Sequence, residues 1–172
     1  MQVGGLPMQS HIRLLKIMFA LICGFMALFY VLQNIANLDA AHQALIYVLS
    51  GADHQAYPNT LFFKTADPLF AWLAVGIIFT LEFATAILLL KGSWDMFVAR
   101  GGNTFNQAKK WAQIGAGLGV LVWFGLFGVI GSAFFQMWQT EIGTNSMNGA
   151  FQFFVSCAIT LFWISQPDPT AD

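Results

Sequence analysis

The stretch LFAWLAVGIIFTLEFATAILLL, residues 69–90, decides how this chain is read. It carries one acid, Glu82, and no base. At about 1.5 Å per helical residue it is long enough to cross a hydrocarbon core of ~30 Å. Three further apolar runs resemble it in length: residues 14–32, 114–137 and 148–164, the last being the shortest. The composition agrees with lipid as the solvent. Of 172 residues, 58% are apolar and 9% charged, against about 45–50% and about 25% in ordinary globular chains. Seven basic and eight acidic residues cannot cover a water-facing surface. The expected fold is therefore all-α: one integral membrane domain, residues 1–172, built as a four-helix bundle.

The same composition narrows function. Net charge is −1, and no basic stripe is interleaved with aromatics, so nucleic acid is not an expected partner. Cys23 and Cys157 fall inside apolar runs and read as small hydrophobes. No spacing of His, Cys or acids suits a metal, and no glycine fingerprint suits a nucleotide. His11, His42 and His54 lie outside the spans or at their margins, where they cannot hold a haem between helices. No cofactor is expected. The first run follows Arg13 and lacks a good cleavage site after it, so it reads as a retained helix.

Between spans, residues 34–68 are mixed. Asp39 is expected to cap a short helix, 40–49, lying along the membrane face. In residues 91–110, Gly101 and Gly102 mark a turn, and Asn103 or Thr104 caps a helix that feeds the third span. Residues 138–149 read as a short polar loop, and 165–172 as a disordered tail. With four spans, Arg13, Lys16, Lys91, Arg100, Lys109 and Lys110 fall on one side and Lys64 on the other. The basic side is expected to be cytoplasmic, with both termini there and the short helix on the far side. Trp72, Trp94, Trp111, Trp138 and Trp163 fall near span ends, as interfacial indoles do.

Glu82 is the residue that stands apart. An acid or base at mid-bilayer costs about 2.5–3.5 kcal/mol on insertion scales, so it should face the bundle interior. Counting inward from the basic end of the other spans places Cys23, Trp123 and Ser156 at its depth. Three readings stay open: a protonated, hydrogen-bonded structural acid; a proton, ion or substrate ligand; and a contact for a partner's cation. In the third span, Gly115 and Gly119 form a GxxxG pair, and Gly125, Gly128 and Gly131 recur every third residue. These suit close helix packing, within the chain or between copies or other membrane subunits. Near the far end, Ser132, Gln136 and Gln139 share a face at α-helical spacing. With Gln33, Asn34 and Gln152 they form a candidate outer polar layer.

Three stretches carry a family resemblance: TLEFATAILL around Glu82, FNQAKKWAQIGAGLG at residues 105–119, and FFQMWQTEIGTNSMNGAFQFF at residues 134–154. Across nearly its full length the chain resembles a family of predicted small bacterial integral membrane proteins of unknown function. The matching features are Glu82, the Met137-Trp138-Gln139 triplet, and Asn148-Gly149 before the fourth span. The chain departs from the pattern before that triplet. Gly131-Ser132-Ala133-Phe134-Phe135 stands where the family tends to carry Gly-Gly-Glu-Trp-Phe, so a second membrane acid is missing. The aromatic-acidic motif after the first span is also degraded. The resemblance implies a bacterial inner membrane and four spans, but no reaction. The expected function is a non-enzymatic accessory subunit of a larger membrane complex. The alternative is a proton-coupled transporter or channel component using Glu82.

Overall fold

The structure, a computed structural model, describes residues 8–168, with side chains from residue 10 onward. Its helices are α1 (Met8–Ala36), α2 (Leu38–Ser50), α3 (Pro68–Val98), the single turn α4 (Phe105–Ala108), α5 (Lys110–Val120) and α6 (Glu141–Ser165). A π-helix, Leu121–Phe134, continues α5, and a 3-10 turn follows at Met137–Gln139. Four rods are long and apolar enough to cross a bilayer: Ser10–Ala36, Pro68–Val98, Phe105–Phe134 and Glu141–Ser165. The all-α membrane bundle expected from the sequence is what the chain forms. The rods close a ring. α1 packs on α3, α3 on α5, α5 on α6, and α6 returns to α1.

Local chemistry sets the rod ends. Asp67 Oδ1 accepts from Leu69 N at 2.9 Å, and Pro68 opens α3, where its missing N–H costs nothing. Gly51 ends α2 in the left-handed region, φ 62°. Small residues set the spacing between rods. Ala20, Ala27, Ala86, Ala112 and Ala116 are all fully buried. A Cβ built on Gly92 would overlap the backbone of Ala112, and one on Gly115 would meet the backbone of Leu89. Hydrophobic collapse does not drive association in lipid. Close approach of this kind supplies the dispersion contacts instead.

Several boundaries differ from the sequence reading. The fourth rod starts at Glu141, not 148, because Thr140 Oγ1 accepts from Gly143 N at 3.1 Å and caps it. Most of the residues read as a polar loop, from Glu141 onward, are thus its first turns. The short helix after α1 begins at Leu38. Asn37 holds the cap position without a side-chain bond, and Asp39 lies inside the first turn rather than capping it. Thr104 sits at the start of α4, also without a cap bond. The third rod stops at Phe134. Its last part is π-helical, closed by Phe135 N on Ile130 O at 2.9 Å, and Gln136 then turns left-handed at φ 55°. A π-helix of this length is unusual.

The expected disordered tail is corrected over its described part. Asp168 is buried and bridges to Lys16, Lys109 and Arg13. Residues 169–172 lie outside the described residues.

Candidate functional site

Glu82 sits about halfway along α3 and is 3% exposed, so it faces the bundle as expected. Asn34 Nδ2 on α1 donates to its Oε2 at 3.5 Å, a long and weak bond. The Trp123 indole, in the first turn of the π-helix, is the carboxyl's other polar neighbour. Trp123 is held in place by stacking on Phe153 of α6, centroids 4.5 Å apart. Around this triad the central core is apolar: Ala27, Ala86, Val122 and Phe153.

The structure brings Trp123 beside Glu82, whereas Cys23 and Ser156 lie at another level. The α3 rod runs past residue 90 to Val98, so depths counted from 90 slip along the other rods. Gly24 packs against Leu89 and Leu90, roughly two helical turns from Glu82. Cys23 instead meets α6. Its Sγ lies 3.1 Å from Thr160 Oγ1 and 3.8 Å from the Ser156 carbonyl, with Cys157 as a further neighbour. Ser156 therefore contributes its backbone, not its hydroxyl, and to the thiol rather than the acid.

The outer polar layer also divides. Gln33 and Gln152 are exposed, and Ser132 is half-buried in the π-helix. The rod ends at Phe134 and Gln136 turns left-handed, which breaks the α-helical register that puts Ser132, Gln136 and Gln139 on one face. Asn34 turns inward to Glu82. Gln136 and Gln139 pair at 2.9 Å, and Gln139 clamps the backbone of Tyr57 from both sides, accepting from its N at 2.8 Å and donating to its O at 3.1 Å. Phe62 stacks on Phe134 at 4.0 Å and Phe63 meets its edge. The connection after α2 is thereby fastened over the end of the third rod. At its other end, His42 stacks on Trp72 at 4.1 Å and its Nε2 lies 3.2 Å from Pro68 O.

Beneath α2 this arrangement leaves a cavity of about 370 Å³. Its wall includes Leu45 and Val48 of α2, Ile78 of α3, Phe127 and Ile130 of the π-helix, and Ile142 of α6. Its few polar side chains are Asn34 and Ser146. Asn34 therefore touches both the cavity and Glu82. The volume is within the usual range for small-molecule sites, about 300–1,000 Å³. Sequence reasoning missed this cavity because its walls come from α1, α2, α3, the π-helix, the 3-10 turn and α6, and none of its residues is individually unusual. The hint available was the mixed polarity of α2.

The third-span glycines are largely consumed inside the chain. Gly115 packs on α3, Gly119 on Cys157 and Gly131 on Met137. The GxxxG pair thus makes close helix contacts inside the chain, while Gly117 meets nothing within 4 Å.

The family pattern described as "Predicted small integral membrane protein (DUF2165)" matches residues 12–167. The chain belongs to the DUF2165 family. No curated protein and no solved structure matches it. In this DUF2165 member the matched region contains Glu82, Asn34, Trp123 and the whole cavity wall.

Proposed function

We propose that this DUF2165 protein is a non-enzymatic accessory protein of the bacterial inner membrane. Its working part is the cavity under α2, which takes up a lipid-like molecule with an apolar chain and one hydrogen-bonding group. The observation that supports this is the juxtaposition of an apolar-walled space of about 370 Å³ with Asn34, itself bonded to Glu82. An apolar-walled recess of this size favours apolar occupants. One amide at the wall fixes the orientation of a head group. In this reading α2 lies on the periplasmic face, and the basic end of the bundle is cytoplasmic.

Native mass spectrometry in mild detergent tests the cavity. The wild type should carry a bound lipid that Ala44→Trp, which fills the space, expels. Equal occupancy in both would remove this reading. Affinity purification tests the accessory role separately: a copurifying membrane subunit is expected, and a strictly solitary particle counts against it. The contact between Asn34 and Glu82 also favours a second reading, proton coupling. Glu82→Gln in proteoliposomes decides it, since unchanged proton flux eliminates a relay through Glu82.

A further inference from the structure

Among the described residues, no charged side chain lines the cavity under α2. Its polar side chains are Asn34 of α1 and Ser146 of α6, and the rest of the lining is apolar or glycine. Burying an unpaired charge against such a wall costs far more than burying a hydrogen-bonded neutral group. An ionised head group would find no counter-charge in the lining. The carboxyl that Asn34 touches, Glu82, lies behind the amide and is only 3% exposed.

The direction of the hydrogen bonds narrows the chemistry further. Asn34 Nδ2 donates to Glu82 Oε2 at 3.5 Å, and Ser146 Oγ donates to Ile142 O at 2.9 Å. Both polar side chains of the wall thus direct a donor hydrogen at the protein itself. A serine hydroxyl has no second hydrogen, so Ser146 offers the cavity lone pairs alone. Asn34 is half-buried and offers the second hydrogen of Nδ2 together with Oδ1, which no donor reaches among the described residues. The wall is therefore richer in acceptors than in donors. An acceptor shut away from water and left unmet costs its desolvation. An occupant with a hydrogen to donate removes that cost. An ether, an ester or a quinone carbonyl, which can only accept, does not.

The packing of the rods sets the route of entry. Near the basic end α3 and α5 touch closely, and a Cβ on Gly115 would stand 2.8 Å from Leu89 N. Farther along, Ile77 and Ile78 of α3 and Phe127 and Ile130 of the π-helix line the cavity instead. The two rods diverge there and leave a wedge beneath α2. Ile77 and Ile130 are 54% and 44% exposed, and both lie within the apolar spans, so the wedge is open toward hydrocarbon. What enters that way is dissolved in the bilayer.

We propose that the occupant of this cavity is an uncharged lipid alcohol, an aliphatic chain ending in a hydroxyl that donates to Asn34 Oδ1. This rests on the cavity reading given under the proposed function and names the class of ligand within it. Lipids with ionised head groups, and chains whose polar atoms only accept, are discriminated against by the same wall.

The test uses the full chain in mixed micelles at neutral pH, with probes that share one hexadecyl chain: 1-hexadecanol, its methyl ether, hexadecyl sulfate and hexadecylamine. The ether keeps the oxygen and loses the donor, the sulfate adds a negative charge, and the amine adds a positive one. Bound probe per chain is measured by mass spectrometry after gel filtration. Ala44→Trp, which fills the space, sets the background for each probe. Hexadecanol should bind above background, with a half-saturating mole fraction about tenfold below that of the ether, the size of one hydrogen bond. The sulfate and the amine should stay at background. In Asn34→Leu the alcohol and the ether should bind alike. The outcomes separate the two readings. If Ala44→Trp takes up hexadecanol as fully as wild type, the cavity reading fails and this inference with it. If binding depends on the cavity but the ether matches the alcohol, or either charged probe matches or exceeds it, the cavity stands and the lipid alcohol is overturned. A preference for the alcohol that survives Asn34→Leu overturns it equally. Should Asn34→Leu fail to fold, the ratio of alcohol to ether binding in the wild type decides.

Discussion

Gly92→Ala and Gly76→Ala are the same substitution on the same rod, with opposite expected outcomes. Gly76 on α3 has nothing within 4 Å of where a Cβ would stand. Gly92, on the same helix, is where α3 lies against α5, and its Cβ would overlap the amide N and Cα of Ala112. Those are main-chain atoms of a rod, so no rotamer change relieves the contact, and the two rods must separate. Overpacking of this kind costs about 1–3 kcal/mol, and an unyielding backbone places the cost near 3. A gap of 0.5–1 Å forfeits a quarter to a half of each dispersion contact along the crossing. Gly to Ala in a helix also gains up to about 1 kcal/mol, but both variants share that term. The difference between them is therefore about 3 kcal/mol, or on the order of a hundredfold in the unfolding constant. Steric trapping or SDS titration in mixed micelles, run on both, measures it. Gly92→Ala should unfold far more readily than wild type, and Gly76→Ala should match or exceed wild type. If the two variants behave alike, small-residue contact between α3 and α5 is not what holds the bundle, and the packing argument fails.

Other outcomes follow from single contacts. Asn34→Leu removes the amide donor of Glu82, and a bond this long should cost only about 1 kcal/mol in the same titration. Thr140→Ala strips the cap from α6 and should cost about 1 kcal/mol, with faster hydrogen exchange at the Gly143 amide. Gln139→Ala should release Tyr57, seen as lost amide protection there while the four rods keep theirs. Asp168 carries a pH dependence. Burial pushes its carboxyl up, but the hydrogen bonds and charges of Lys109 and Lys16 outweigh this and hold it below its ordinary value of 3.8. A depressed folded value means the ion pairing contributes fully above the ordinary aspartate range and is lost as pH falls through the lowered one. A spin label on Gln166→Cys should therefore stay immobile down to that ordinary value and be freed only below it. Release well above it would show that Lys16 and Lys109 do not hold the carboxylate.

Four apolar runs, one mid-span acid and a shortage of charge were enough to fix a helical membrane bundle, because helix length against bilayer thickness and the cost of burying Glu82 are local sums. That Glu82 faces inward beside Trp123 was legible for the same reason. What sequence could not supply was anything depending on how far each rod slides along its neighbour. Cys23 and Ser156 left the Glu82 level because α3 runs on to Val98. Ser132, Gln136 and Gln139 lost their common face because the third rod ends at Phe134 and the chain turns left-handed at Gln136. Asp168 looked like tail until Lys16 and Lys109, distant in the chain, closed on it. Register, helix type and long-range ion pairing come from contacts between distant segments. Tertiary packing decides them, while the bilayer's thickness and low polarity can be read residue by residue.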